Sequence, residues 1–343
     1  MFQMKKSVLY IGNYLKQPNS NPTYMQALGS FLQGEGCKVV FASSKRNQIL
    51  RFLDMLWTCY EYRNQVDLVL IDTYSTLNFY YAFAVSQLCK LLGLPYIPIL
   101  HGGNLEARLK KNPRLSRMLF KHAQHLVSPS QFMLQVFEHY GYSNLVFIPN
   151  SLNLEDYAFQ LRKLEPLVKL LWVRSFSKIY NPTLAVTVLK RLLDEGIVAE
   201  LCMVGPDADG SLETTKALAK ELGVEVTFTG KLSKTDWIAL SQDYSVFINT
   251  THFDNMPVSV IEAMALGLPV VSTHVGGMPY LIEHEKDGLL VPSNTAEAFV
   301  VAIKRLLATP DLAKTIALNA RVKVEQFDWT HVKRQWEQLL DAR

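Results

Sequence analysis

Two acidic side chains, Asp254 and Glu262, stand in one short apolar stretch, FDNMPVSVIEAMALGLPVVSTHVGG, with seven residues between them. Pro257 suits the first position of a helix, Gly267 the position just past its end, and Pro269 stops any continuation. The spacing therefore predicts a helix of about ten residues over 257–266, with Asp254 before it and Glu262 inside it. Apart from Ser259 and Glu262 every side chain of that segment is apolar, and a helix apolar on nearly every side is buried. An ionised carboxylate in such a place is costly unless it is paired or accepts strong hydrogen bonds. Glu262 thus demands a partner, and ligand hydroxyls have the right chemistry.

The elements that must hold these acids follow from hydrophobic patterning. Short apolar runs at 7–11, 38–42, 66–71, 95–100, 125–128 and 145–148 read as strands, with helices starting near Thr23, Ile49, Leu77, Pro113 and Ser130. The rhythm restarts with strands near 168–173, 199–204, 225–229, 245–249, 269–272 and 289–291 and helices near 183–195, 212–222, 234–241 and 257–266. Near-continuous apolar strands separated by helices indicate parallel sheets covered on both faces. The fold class is α/β, two doubly wound Rossmann-like domains, with the polar stretch 148–166 as linker. Ligands of such folds sit at the carboxyl ends of the strands.

A chain of 343 residues, 49% of them hydrophobic, suffices for two cores. Cys37, Cys59, Cys89 and Cys202 form no C-x-x-C pair and lie in apolar surroundings, so reduced core residues and a cytoplasmic protein are expected. Lys5 and Lys6 precede an apolar run too short for a secretory signal. The uncharged run Thr73–Cys89 is interrupted by polar residues and falls short of the ~20 apolar residues of a membrane span, so a core helix is expected there.

The stretch holding Asp254 and Glu262 resembles the donor-site signature of retaining glycosyltransferases of family 4, which have the GT-B fold: two acids separated by seven residues, then G-x-P-V and a Gly-Gly loop. IPNSLNLEDY at 148–157, Gly205, Gly230 in VTFTGKL and DGLLVP at 287–292 fall in the family's order. The helices from Asp311 to Arg343 resemble those with which GT-B chains cross back to the first domain. The resemblance implies an acceptor-binding domain over 1–150, a nucleotide-sugar-binding domain over 151–328, and a returning helix over 329–343. It also implies that Asp254 touches the transferred sugar and Glu262 holds the ribose hydroxyls. Asp254 is one methylene shorter than the family's usual Glu, and Tyr280 stands where the family usually has Glu.

A nucleotide sugar brings a diphosphate, which needs cations or free amides at a helix start. Arg174 and Lys178 in LLWVRSFSKIYNP (170–182) are the expected cations, and the amides of Asn255, Met256 and Val258 are expected to assist. Gly12, at the end of the first strand, is assigned to donor binding as well. His101 in ILHGGNL follows a strand, with Gly102 and Gly103 permitting close approach of a ligand; the family often has His there, reaching the transferred sugar. His101, Asp254 and Arg174 form the expected catalytic set. The resemblance further implies transfer with retention through an oxocarbenium-like state, no protein nucleophile and no cofactor or metal. Asp207 and Asp209 in GPDADGS form a D-x-D that reads as an exposed glycine turn. A nucleotide-sugar epimerase and a catalytically silent nucleotide-sugar-binding protein are the alternative readings.

Charge is distributed unevenly. Residues 1–150 contain 15 Lys and Arg against 7 Asp and Glu, whereas 151–343 contain 20 against 24. Arg108, Lys110, Lys111, Arg114, Arg117 and Lys121 fall in one segment, with Asn112 expected to cap a helix opened by Pro113. Such a face attracts anionic head groups by ~1 kcal/mol per charge, so peripheral contact with the inner face of the cell membrane and a glycan or lipid-linked acceptor are expected. No nucleic-acid recognition motif occurs.

Overall fold

The computed structural model describes residues 6–14, 23–102, 104–164 and 166–341; Lys5 and Gly103 lie outside them. The chain divides into two compact units, residues 1–151 with 329–343, and residues 152–328.

The first unit runs β1 (Ser7–Ile11), α1 (Tyr24–Gly34), β2 (Lys38–Ala42), α2 (Gln48–Glu61), β3 (Leu68–Thr73), α3 (Asn78–Leu92), β4 (Tyr96–Leu100), α4 (Leu105–Lys111), α5 (Pro113–Phe120), β5 (Leu126–Ser128), α6 (Gln131–His139) and β6 (Leu145–Phe147). Its strands form one parallel sheet in the order β2-β1-β3-β4-β5-β6. Helix starts are set locally: the Thr23 hydroxyl accepts from the Gln26 amide while the Gln26 side chain accepts from the Thr23 amide, a reciprocal cap. Asn47 and Ser130 cap α2 and α6 through their side-chain oxygens. One face of the sheet packs on α2 to α6.

The second unit runs β7 (Val168–Val173), α7 (Pro182–Asp194), β8 (Ala199–Val204), α8 (Ser211–Glu221), β9 (Thr227–Gly230), α9 (Lys234–Ser241), β10 (Val246–Asn249), α10 (Val258–Ala265), β11 (Val270–Thr273), α11 (Met278–Leu281), β12 (Leu289–Val291), α12 (Ala296–Ala308) and α13 (Pro310–Glu325). Its parallel sheet has the order β12-β11-β10-β7-β8-β9. The last helix, α14 (Trp329–Asp341), belongs to the first unit. There it buries Trp329, Val332 and Trp336 with α1 on the face of the sheet opposite α2 to α6, and the Trp329 ring stacks on Phe31 at 4.7 Å.

The alternation of apolar runs and helical segments thus builds two doubly wound sheets. In the second, β7 continues to β8 and β9 on one side while β10 lies on its other side, so the order of strands reverses between β7 and β10. In the first it reverses between β1 and β3. Crevices beyond the strand ends at such points are where ligands of open parallel sheets bind.

Candidate functional site

Arg174 follows β7 and Asp254 follows β10, so both sit beyond the strand ends that flank the reversal of the second sheet. The Arg174 guanidinium is paired with the Asp254 carboxylate, and its carbon stands 4.0 Å from the centre of the Tyr180 ring. The other Asp254 oxygen accepts from the Asn255 amide at 2.9 Å. Burial pushes the Asp254 carboxyl above its ordinary value, and the charge of Arg174 opposes that rise. Arg174 Nε and Ser259 Oγ are buried without a hydrogen-bond partner among the described residues. Buried donors without a partner are rare in folded proteins.

Glycines set the backbone around this pair. At Gly205, with φ of +152°, a Cβ would lie 1.8 Å from the Arg174 carbonyl oxygen. At Gly277 a Cβ would lie 1.7 Å from the Asn255 carbonyl oxygen, and at Gly276 one would lie 2.2 Å from that of Asp254. The Gly277 amide donates to the Asp254 carbonyl at 2.8 Å. The Gly-Gly loop is therefore the wall against which the acid-bearing loop rests.

The helix between the acids begins one residue later than its sequence predicts. Pro257 has a helical φ of −70° but an extended ψ of 118°, which makes it the cap instead of the first helical residue. No side chain caps α10, so its amino end keeps unsatisfied amides and the positive end of its dipole. Asn255 and Met256 are buried just before it, while Val258 is 38% exposed at its start. Glu262 is 8% exposed. Its Oε1 accepts from the Tyr157 hydroxyl at 2.5 Å and lies 3.5 Å from Lys234 Nζ, which is itself 4.9 Å from the centre of the Tyr157 ring. Burial raises the Glu262 carboxyl above its ordinary value, with the Tyr157 hydrogen bond and the Lys234 charge acting against it. The same burial and the Glu262 charge push the Tyr157 hydroxyl well up. Protein groups thus meet Oε1 of Glu262. Sequence reasoning missed both partners: Tyr157 is far from Glu262 along the chain, and Lys234 reads as an ordinary first-turn lysine.

Lys178 is exposed on a single 3-10 turn, and its amide donates to Asp209 at 3.0 Å. Asp209 also accepts from the Ser177 hydroxyl at 2.8 Å, and Asp207 accepts from the Gly210 amide at 3.0 Å. The D-x-D is a set of loop and helix-start contacts. No group of three or more acidic, His or Cys side chains able to hold a metal occurs among the described residues.

In the first unit a second buried cluster forms beyond β1, β3 and β4. His101 Nε2 lies 2.9 Å from Asp72 Oδ1, and the Tyr10 hydroxyl donates to the same oxygen at 2.9 Å. Tyr74 stacks on the imidazole at 5.1 Å and Tyr24 meets it edge-on at 4.7 Å. Burial together with the Asp72 charge raises the hydroxyls of Tyr10, Tyr24, Tyr74 and Tyr81, and aromatic rings surround the Asp72 carboxylate. Gly12 is packed against that carboxyl group: a Cβ there would lie 2.7 Å from Asp72 Oδ2. Asp72 is not singled out by the sequence, because the apolar run ends at Ile71 whereas β3 extends to Thr73.

The basic segment behaves unevenly. Arg108 is turned inward, donating through Nε to the Ser75 carbonyl at 2.5 Å and through its terminal nitrogens to the Thr76 carbonyl at 3.2 Å and Asn112 Oδ1 at 3.1 Å. It fastens α4 to the loop after β3. The Asn112 side chain makes no cap for α5; its oxygen is taken by Arg108. Lys110 pairs with Glu106 at 2.6 Å. Lys111, Arg114, Arg117 and Lys121 are exposed. The four cysteines are free and buried.

Comparison with known proteins agrees with this architecture. Residues 154–323 match the family described as glycosyl transferases group 1. Over 142 residues the chain is 30% identical to a D-inositol 3-phosphate glycosyltransferase of Saccharomonospora viridis, covering 40% of this chain and 32% of that one. Over 92 residues it is 42% identical to the putative colanic acid biosynthesis glycosyltransferase WcaL of Escherichia coli, covering 26% and 22%. The matched stretches thus span about a third or less of these curated relatives. Anabaena HepE, solved with UDP-glucose, superposes with a TM-score of 0.76 at 16% identity, covering 98% of this chain and all of that one. The family's sequence pattern fills the second unit and the two doubly wound sheets are those of the GT-B fold, so residues 154–323 form a group 1 glycosyl transferase domain on a GT-B scaffold.

Proposed function

We propose that the chain is a retaining hexosyltransferase that moves a sugar from a nucleoside diphosphate sugar to a glycan or lipid-linked acceptor in polysaccharide or glycolipid synthesis. The observation that carries this reading is the surroundings of α10: a partly buried acid before it, a buried acid within it, an uncapped amino end, and a guanidinium with an orphan Nε beside them. A diphosphate at that end would meet Arg174, Lys178 and the free amides, which together balance its charge without a metal. Ribose hydroxyls would donate to Glu262, and a sugar hydroxyl to Asp254. His101, fixed by Asp72, would present its remaining ring nitrogen to the sugar. The acceptor oxygen bonds to the anomeric carbon on the face from which the diphosphate departs, and its proton passes to the leaving phosphate oxygen. No protein nucleophile is needed, and the protein's part is to orient both substrates and stabilise the departing charge.

The UDP-glucose held by the Anabaena protein supports a nucleotide-hexose donor, and the name of the E. coli relative supports a role in surface polysaccharide assembly. Among the described residues no helix is long and apolar enough to cross a membrane, and the exposed cations of α4 and α5 support peripheral contact with an anionic inner leaflet. The test is sugar release from a panel of nucleotide hexoses with and without glycan and lipid-linked acceptors. Release should require an acceptor and give a product of retained anomeric configuration. His101→Ala and Asp72→Asn should each lower kcat/KM on the order of 10²-fold, the cost of misplacing a group that orients substrate. Acceptor-independent turnover would indicate an epimerase, and an inverted product would overturn the retaining mechanism.

A further inference from the structure

Among the described residues, the exposed large apolar side chains of the first unit lie on the helices of one face and the turns flanking them. Ile49, Leu50, Leu53, Trp57 and Tyr60 are all exposed on α2, from 46% at Tyr60 to 70% at Ile49. Their spacing places them in one helical stripe. The remaining exposed large hydrophobics of this unit, among the described residues, are Leu77, Tyr80 and Leu91 at the ends of α3 and Met118 on α5. These three helices pack side by side on one face of the sheet; α1 and α14, on the opposite face, contribute none. Beside the stripe lies an open groove of about 650 Å³ lined by Leu50, Leu53, Leu56, Trp57 and Tyr60, with Lys45 and Asp54 its charged members. Contiguous apolar exposure of this kind marks a docking surface.

The charge on these helices and the turns flanking them says what docks. Residues 45–63, 77–92 and 113–121 hold eight Lys and Arg against two acids, and one of those acids, Asp54, is occupied by the Ser43 hydroxyl. An isologous pairing of two copies would set cation against cation across the contact, since the same patch serves both partners. A broad face that is apolar along one helix, aromatic near its end and cationic around it fits the interface of an anionic bilayer, where Trp and Tyr sit at head-group level and basic side chains meet phosphates.

We infer that the stripe on α2 is the membrane anchor of this protein, inserting Leu53 and Trp57 into anionic lipid while the basic residues of α5 supply attraction alone. This deepens the lipid-linked acceptor reading and relies on it only for biological purpose; lipid docking and sugar transfer fail separately. Trp57 makes the test clean, because it is 63% exposed while Trp172, Trp237, Trp329 and Trp336 are at most 9% exposed. The full chain is titrated with phosphatidylglycerol vesicles and with phosphatidylcholine vesicles, following tryptophan emission and co-sedimentation. Phosphatidylglycerol should shift the emission to the blue, and Trp57→Phe should abolish the shift without preventing sedimentation. The double variant Leu53→Asp, Trp57→Asp should partition at least about tenfold more weakly, yet keep the wild-type melting temperature and wild-type nucleotide affinity. Loss of binding in Arg114→Glu, Arg117→Glu with full binding in the α2 double variant would overturn the inference. So would an unshifted Trp57, or a blue shift that follows protein concentration without lipid and accompanies a dimer in sedimentation velocity.

Discussion

Glu262 illustrates how a buried side chain can be unfavourable for the fold. Its carboxyl is buried and raised above the ordinary glutamate value of 4.5, so the folded chain binds its proton more tightly than the unfolded chain. Stability from such a group is present at low pH and falls as pH rises from 4.5 through the raised value. Glu262→Gln, which keeps the shape and removes the charge, should therefore raise the melting temperature of the unliganded protein at pH 7 by a few degrees. That gap should close as the pH is lowered toward 4.5. Melting curves of both proteins across this range check it; a gap that widens on acidification would contradict the assignment of burial as the cause. The demand of Glu262 for a partner was legible in the sequence from the apolar residues around it. The identity of that partner was not, since Tyr157 and Lys234 reach it only through tertiary packing.

At the scale of elements, the loops after β7 and β10 are held by glycines that no larger residue can replace. Gly277→Ala places a methyl 1.7 Å from a backbone oxygen of the loop that carries Asp254. Neither group is the end of a flexible side chain, so the loop must move. The expected cost is about 3 kcal/mol or more in stability, read by chemical denaturation, together with loss of nucleotide binding; a variant with native stability and affinity would show that the Gly-Gly loop does not position the acid. The strands and most helices were legible because buried parallel strands are continuous apolar runs with helices between them. Two errors have physical causes. Pro257 matches the φ of a first helical residue, but its ψ decides its place, and sequence does not give ψ. A carboxylate at the end of an apolar run such as Asp72 reads as a strand terminus, whereas here a tyrosine on β1 and a histidine just past β4 satisfy it.

For the whole molecule, the division of the core is the governing fact. One pair of hydrophobic clusters lies wholly within residues 152–328, and the other draws on α14 as well as on the strands and helices before residue 151. Arg174, Lys178, Tyr157, Lys234, Asp254 and Glu262 all belong to the first of these bodies. Residues 152–328 expressed alone should therefore unfold cooperatively and bind a nucleoside diphosphate within roughly tenfold of the affinity of the whole chain, without transferring sugar. Circular dichroism melts and titration calorimetry read both outcomes, and a segment that folds but does not bind would move part of the nucleotide site into the first unit. The exposed stripe on α2 was not legible, since Ile49, Leu50, Leu53 and Trp57 look like the core side of an amphipathic helix until burial shows Met55 and Cys59 facing inward instead.

If the donor site lies at α10, Glu262 holds the nucleotide of the donor. Titration calorimetry of UDP, GDP and ADP into the wild-type chain and into Glu262→Ala tests it most directly. One of the three should bind the wild type, and its affinity should fall at least about tenfold in the variant, as expected when charged hydrogen bonds to a ligand are lost. Equal affinity of that nucleotide for both proteins, with the fold of the variant intact, would contradict it.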